Sequence, residues 1–210
     1  MPEFDRDCQA CPRLASHLSH IRDMYPRYYA RPVPSFGDPK ARLLIIGLAP
    51  GMHGANRTGR PFTGDHAGIL LYETLYNHGF ANRPESVSAK DGLVLKNCRI
   101  TNAVKCLPPA NKPLPAEIAT CNLYLQTELT KLGADSVMLA LGTVAHDAVL
   151  RALKLKRKDY PFAHGSHHRL AQGMHLLDSY HCSRYNTQTK RLTTVMFDHV
   201  MRKARTLISN

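Results

Sequence analysis

The chain has 210 residues, and its 28 Lys and Arg exceed its 16 Asp and Glu, which gives a formal net charge of +12. This length predicts one domain spanning residues 1–210, large enough for a substantial hydrophobic core. Residues 1–13 are polar and no apolar run reaches membrane-spanning length, so the sequence argues against a signal peptide and against a membrane protein. We therefore expect a cytoplasmic protein with reduced cysteines.

The positive charge is concentrated in the carboxyl-terminal part of the chain. Residues 151–210 contain 12 Lys and Arg and three Asp, so they carry +9 of the net +12. Such asymmetry indicates a polyanionic partner, most simply a nucleic acid. The alternative is a basic, solvated surface without a partner.

The apolar pattern predicts strands that alternate with helices. Strands are predicted at residues 43–48, 98–104, 136–141 and 174–178. Helices are predicted at residues 66–78, 115–132, 142–153 and 194–208. Residues 26–41 carry four prolines and are expected to form an irregular connection. This order predicts an α/β protein with a parallel sheet covered by helices on both faces, whose ligands bind beyond the carboxyl ends of the strands.

The first predicted strand leads into a glycine-rich loop, residues 47–65, with the sequence GLAPGMHGANRTGRPFTGD. Glycines allow backbone N–H groups to approach a ligand or a phosphate closely. The loop matches neither the Walker pattern nor the dinucleotide-binding pattern. Alone, it indicates only a polar or anionic ligand at a strand end.

Four cysteines have the spacing of metal ligands. Cys8 and Cys11 form C-x2-C, and Cys106 and Cys121 form C-x14-C. Thiolates in this number suit zinc or an iron–sulfur cluster. The alternatives are a redox-active pair or a chance spacing.

Three segments together resemble one family. The glycine-rich loop, TNAVKCLPPANKP at residues 101–113 and SYHCSRYNTQTKRLT at residues 179–193 are similar to motifs of the uracil-DNA glycosylase superfamily, particularly its family-5, or type B, iron–sulfur enzymes. The resemblance implies a three-layer αβα sandwich with a four-stranded parallel sheet, and a [4Fe–4S] cluster on the four cysteines. It also implies excision of uracil from DNA, with hypoxanthine and xanthine as further candidate bases. We accordingly expect DNA as the partner of a monomeric, nucleoid-associated protein.

The resemblance also implies roles for individual residues. Phe62 would stack on the flipped base and Asn102 would read its edge. His181 would hydrogen-bond the carbonyl oxygen on which charge develops, and Asp65 would position the attacking water. The expected catalytic residues are therefore Asp65, Asn102 and His181, and the remaining base contacts are Gly47, Ala49, Gly51 and Phe62. The alternatives are a core Phe62, a capping Asn102, a packed His181, and an Asp65 that caps the helix starting near residue 66.

The segment after His181 is expected to contact DNA. Ser183 and Arg184 suit phosphate contacts, and Tyr185 could wedge between stacked bases. A different function on the same fold remains open, namely a non-catalytic DNA-binding or redox-sensing iron–sulfur protein. A third alternative is an unrelated nucleotide hydrolase with a structural zinc.

Four positions depart from the family pattern. Leu48 stands where family-4 enzymes carry an acidic residue, which leaves Asp65 as the candidate for water activation. Cys182 replaces the proline of an H-P-S motif, so a looser loop is expected. Lys190 stands where a glycine is expected, and Met52 replaces a smaller residue near the pocket.

Overall fold

The computed structural model describes residues 4–209 and contains one six-stranded sheet. The strands are β1 (Phe36–Gly37), β2 (Leu43–Gly47), β3 (Cys98–Asn102), β4 (Val137–Leu141), β5 (His167–Arg169) and β6 (His175–Ser179). They lie in the order β1-β3-β2-β4-β6-β5. The four predicted strands form the parallel centre, whereas β1 and β5 pair antiparallel at the two edges. The prediction of four strands therefore missed the two edge strands, which are too short to show an alternating pattern.

Helices cover both faces of the sheet. They are α1 (Pro12–Met24), α2 (Ala55–Thr58), α3 (His66–Asn77), α4 (Pro115–Leu129), α5 (Thr143–Ala152), α6 (Arg184–Gln188) and α7 (Thr194–Ser209). Alternate side chains of β2 point to opposite faces. Leu43 and Ile45 pack with α3 and α7, whereas Leu44 and Ile46 pack with α4 and α5. The expected three layers are confirmed.

Helix α1 was absent from the predicted elements. It begins with Pro12 at its first turn, where the missing N–H of proline costs nothing. Leu14, Leu18 and Ile21 form its buried face, and they pack against the segment that contains Cys106. The amino-terminal segment is thus attached to the middle of the chain by a separate apolar cluster.

The topology places a crevice at the carboxyl end of β2. From β2 the chain first adds β3 on one side, and later adds β4 and β6 on the other. Ligands bind beside such a reversal of strand order in open α/β sheets. Gly47 of β2 pairs in register with Asn102 of β3, so two candidate residues are neighbours at this edge. Within the described part of the chain, no helix has the length and apolarity needed to cross a membrane.

Candidate active site

The ends of β2 and β3 bring Gly47, Phe62 and Asn102 together. A Cβ on Gly47 would clash with Asn102 Oδ1 and would lie 2.6 Å from Phe62 Cζ. Asn102 is 3% exposed, and its Oδ1 has no hydrogen-bond partner among the described residues. A buried, unpaired acceptor is costly, so its presence favours a ligand that donates a hydrogen bond here. Phe62 lies on the loop as predicted, although its ring is also buried in the core.

His181 follows β6 and lies beside Phe62. The two ring centroids are 5.8 Å apart, and the ring planes are inclined by 29°. Burial lowers the pKa of His181 to about 4. The imidazole is therefore neutral near pH 7, with one N–H donor and one acceptor nitrogen. The structure thus brings His181 to the same pocket as Phe62 and Asn102.

Asp65 lies at the start of α3, where the glycine-rich loop ends. Its Oδ1 accepts a hydrogen bond from the Gly68 N–H at 3.2 Å, so the capping alternative is correct for this oxygen. The other side of the carboxyl group faces the loop, because a Cβ on Gly51 would lie 3.4 Å from Oδ2 and one on Gly54 would clash with it. Burial raises the pKa of Asp65, opposed by the N–H groups of α3. Capping therefore occupies one carboxyl oxygen and leaves the other at the glycine-rich loop.

The side chain of Ala49 does not join this group. It packs together with Met52 against the apolar cluster around α1. Any contact of Ala49 with a base would therefore come from its backbone. Met52 likewise packs toward the cysteines, so the sequence-based expectation that it borders the base pocket finds no support.

The sequence pattern did not single out Arg60, which holds the glycine-rich loop in place. Its guanidinium contacts Asp91 at 2.5 Å and donates to Ser86 at 2.6 Å and to Thr63 at 2.9 Å. Arg60 and Asp91 have side chains only 5% exposed. Breaking such a buried pair leaves an uncompensated charge. The signal available in the sequence was the position of Arg60 within the glycine-rich loop, close to Phe62.

Asn186 is a second residue without a predicted role, and it fixes the loop that carries His181. Its Nδ2 donates to the His181 carbonyl oxygen at 2.8 Å, and its own carbonyl oxygen accepts from the Leu192 N–H at 3.0 Å. Its backbone N–H donates to Ser183 Oγ, which caps α6. These contacts hold the loop in place, and Cys182 itself is fully buried in the core. The looser loop expected from the loss of the proline is therefore not seen.

The predicted DNA-contacting residues lie at the start of α6. Ser183 uses its hydroxyl oxygen as the helix cap, whereas Arg184 borders a cleft of about 650 Å³ that Asp65 also lines. Tyr185 is 68% exposed, as a wedge residue would need to be. Lys190 has φ = 57°, a left-handed conformation that explains why glycine is expected there.

The four candidate cysteines line one cavity of about 200 Å³. Cys8 and Cys11 precede α1, Cys106 follows β3, and Cys121 lies on α4. The other walls are mostly apolar and include Leu14, Pro32, Leu123 and Tyr124. Four thiols around one mostly apolar cavity form a ligand set that suits zinc or an iron–sulfur cluster.

Two ion pairs brace this cavity. Arg13 of α1 donates through Nε and Nη2 to the two carboxylate oxygens of Glu117 on α4, each at 2.7 Å. Lys105 is 1% exposed and contacts Glu128 at 2.9 Å, while its backbone N–H donates to Cys121 Sγ at 3.2 Å. The first pair joins α1 to α4, and the contacts of Lys105 join α4 to the segment that follows β3.

Comparison with known proteins identifies the family. The model of the uracil DNA glycosylase superfamily matches residues 34–205. A type-5 uracil-DNA glycosylase of Thermus thermophilus is 48% identical over 205 residues, covering 95% of this chain and 93% of the relative. A type-5 uracil-DNA glycosylase of Mycobacterium tuberculosis is 44% identical over 209 residues, which cover 95% of this chain and 78% of the relative. A type-4 enzyme of Thermotoga maritima is 34% identical over 141 residues, covering 67% and 59%. With its three motifs at one sheet edge, this chain belongs to the uracil-DNA glycosylase superfamily.

Proposed function

We propose that the protein is a DNA glycosylase that removes uracil from DNA by hydrolysing the N-glycosidic bond and leaves an abasic site. The observation that carries this function is the convergence of Phe62, Asn102 and His181 at the carboxyl ends of β2, β3 and β6, with Asp65 on the adjoining loop. The family and the type-5 names of its relatives support the same function. Hypoxanthine and xanthine stay predictions.

Recognition begins with the extruded base. A base inside a duplex cannot be reached, so the nucleotide must rotate out of the stack. Phe62 offers an aromatic face, and Asn102 Oδ1 is an unpaired acceptor for the imide N–H of uracil. Because Gly47 has no Cβ, these two side chains can approach the end of β2 closely, where any larger residue would clash with them. A flipped uracil would therefore satisfy a buried oxygen that otherwise lacks a partner.

His181 acts on the leaving base. As the bond from C1′ to the base nitrogen breaks, its electron pair moves into the base and charge develops on a carbonyl oxygen. Because its pKa is low, His181 is a neutral imidazole near pH 7, and it donates its N–H to that oxygen as a hydrogen bond. The positive charge on the sugar is then relieved by water.

Asp65 acts on water and on the sugar. Its carboxylate accepts the hydrogen bond of a water whose oxygen bonds to C1′, and its negative charge stabilises the cationic sugar. The water supplies the hydroxyl of the abasic sugar and one proton, which finally neutralises the base. Oδ2 is the free oxygen for this task because Oδ1 caps α3.

We further propose that Cys8, Cys11, Cys106 and Cys121 hold a [4Fe–4S] cluster. The shared cavity and its mostly apolar walls suit a buried group held by four thiolates, and the two cysteine pairs resemble those of the family-5 iron–sulfur enzymes. When bound, the cluster would cross-link α1 to α4 and to the segment after β3. None of the hydrolytic steps uses it.

Replacing Cys106 by serine is expected to remove most bound iron and the brown colour, and to lower the soluble yield, because one of four ligands is lost. Iron content and visible absorption measure this. Cys98→Ala is the matched control, since Cys98 is a buried thiol of β3 outside the cavity. Full iron in Cys106→Ser would contradict the ligand assignment.

Arg184 is expected to contact a DNA phosphate. Neutralising it as Arg184→Gln should weaken binding to all sequences alike and reduce the slope of log K against log salt by about 0.9 on duplex DNA. Binding isotherms at several salt concentrations measure the slope. Lys131→Gln removes an equal charge near the amino end of β4. This end of the parallel strands is opposite to the end that carries the proposed site, so the slope should not change. Equal slopes in both variants would contradict the contact.

The function is tested with purified protein and oligonucleotides that carry uracil, hypoxanthine or xanthine, followed by alkaline cleavage at abasic sites. Strand cleavage at uracil is expected. Tight DNA binding without any abasic product would instead support a non-catalytic, cluster-containing DNA-binding protein. A monomeric state and a location with the nucleoid stay predictions.

A further inference from the structure

A second group of ligating side chains lies outside the proposed active site and away from the cysteines. It consists of His146 on α5, His168 on β5 and Asp178 on β6. Asp178 Oδ1 lies 2.7 Å from His146 Nδ1, and Asp178 Oδ2 lies 3.6 Å from His168 Nε2. One ligand atom from each residue lies within 4.8 Å of the others. No step of base excision uses these three residues.

The hydrogen bond on the far side of His146 selects its ligating atom. His146 Nε2 lies 2.9 Å from the Tyr160 carbonyl oxygen. A carbonyl can only accept, so Nε2 carries a proton whether or not an ion is bound. Nδ1 faces Asp178 Oδ1 at 2.7 Å and donates to it without an ion, and a bound metal ion would replace that Nδ1 proton. Histidines that bind metals are commonly held in this way, with the second ring N–H donated to a backbone carbonyl. His146 Nδ1 therefore points into the group as a ligand.

The group contains buried polar atoms without partners. Asp178 is 0% exposed. Its Oδ2 and the facing Nε2 of His168 are both buried, and neither makes a hydrogen bond within the described residues. Unpaired buried groups of this kind cost free energy, which a cation bound between them would recover. The rings of Phe162 and Tyr160 stand against the two histidines, each pair with centroids 5.6 Å apart, and limit access of water.

We propose that His146 Nδ1, His168 Nε2 and Asp178 bind one divalent transition-metal ion, with zinc as the best match. Two imidazoles and one carboxylate form a donor set that zinc accepts, and a water would complete four-coordination. The ion would cross-link α5, β6 and the edge strand β5, since each of the three elements provides one ligand. Because β6 leads directly to the loop that carries His181, the ion would help to fix the position of that loop. The competing explanation is a buried hydrogen-bonded pair that binds no metal.

The test is calorimetric titration of the full-length, cluster-loaded protein with Zn²⁺ after dialysis against metal-free buffer. Wild type and His199→Gln, a control for an exposed histidine on α7, are expected to bind one equivalent equally. His168→Gln removes a ligand on an edge strand and should weaken binding at least about tenfold. If His168→Gln binds zinc with the same affinity as wild type, the zinc is held elsewhere, by the cysteines or by other histidines. That result would overturn the proposal. So would the absence of zinc uptake by wild type.

A measurement on wild type alone covers the case in which His168→Gln fails to fold. The ring ¹⁵N signals of His146 and His168 are expected to shift at one equivalent of Zn²⁺, while those of His199 stay in place. Unchanged signals of His146 would overturn the proposal. This readout is independent of glycosylase activity, so a failure of the proposed enzymatic function would not be mistaken for a failure of the metal site.

Discussion

Replacing His181 by alanine is expected to slow single-turnover excision of uracil by about 100- to 1,000-fold. This is the typical cost of removing one preorganised donor to a developing oxyanion. The expected cost is large because the neutral ring lies beside Phe62 in a partly buried pocket, where a hydrogen bond is strong. Rapid-quench assays with enzyme in excess over substrate measure the chemical step directly.

Two controls separate this effect from damage to the fold. Binding to abasic DNA should be almost unchanged in His181→Ala, since the lost bond forms mainly in the transition state. His199→Ala removes an exposed histidine and should retain the wild-type rate. Because the pKa of His181 is about 4, the ring is neutral above about pH 5 and should add no limb to the pH profile there. A wild-type rate in His181→Ala would leave this histidine without a catalytic role.

The central fold could be predicted because its signals are local. β2 and β4 have continuous apolar runs, as buried parallel strands do, whereas β3 and β6 have apolar residues interrupted by polar ones. The in-register pairing of Gly47 with Asn102 then follows from two strand ends at one edge. The edge strands β1 and β5 have two and three residues, too few for any periodicity.

Helix α1 was missed for a different reason. Its buried residues Leu14, Leu18 and Ile21 have helical spacing, yet the surrounding residues are mostly polar. Its stability comes from packing on the segment around Cys106 and from the Arg13 pair with Glu117, which are 104 residues apart. The spacing of these residues and the proline at the first turn were the local signals available, whereas the long-range contacts leave none.

Only those site residues that lie within the family-like motifs could be predicted from the sequence. Asp65, Asn102 and His181 lie inside segments that resemble a family, so their convergence could be expected. Arg60 and Asn186 act through contacts with other segments or with backbone atoms, which motif spacing does not reveal. His146 and Asp178 are 32 residues apart on different elements and share no motif, so only the three-dimensional structure brings them together.

Asp65→Asn is expected to lower the excision rate by about 100- to 10,000-fold, the range typical of a lost general base. The amide cannot take a proton from water, and it offers no charge to the cationic sugar. The substitution keeps the shape of the side chain, and Asn caps helices about as well as Asp, so α3 should keep its cap to Gly68. Single-turnover rates and urea unfolding at pH 7 measure the two properties separately.

The raised pKa of Asp65 fixes the sign of the pH dependence. Because burial raises this pKa in the folded state, the protonated form stabilises the fold at low pH, and that stability is lost as the pH rises through the folded-state pKa. At pH 7 the buried charge therefore costs stability, and Asp65→Asn should unfold at an equal or higher urea concentration than wild type. Wild-type excision should fall as the pH drops through the same pKa, whereas the residual rate of the variant should stay flat. Asp65→Ala should lose about 1 kcal/mol with the cap. If Asp65→Asn and Asp65→Ala both excise uracil at the wild-type rate, Asp65 is a helix cap and nothing more.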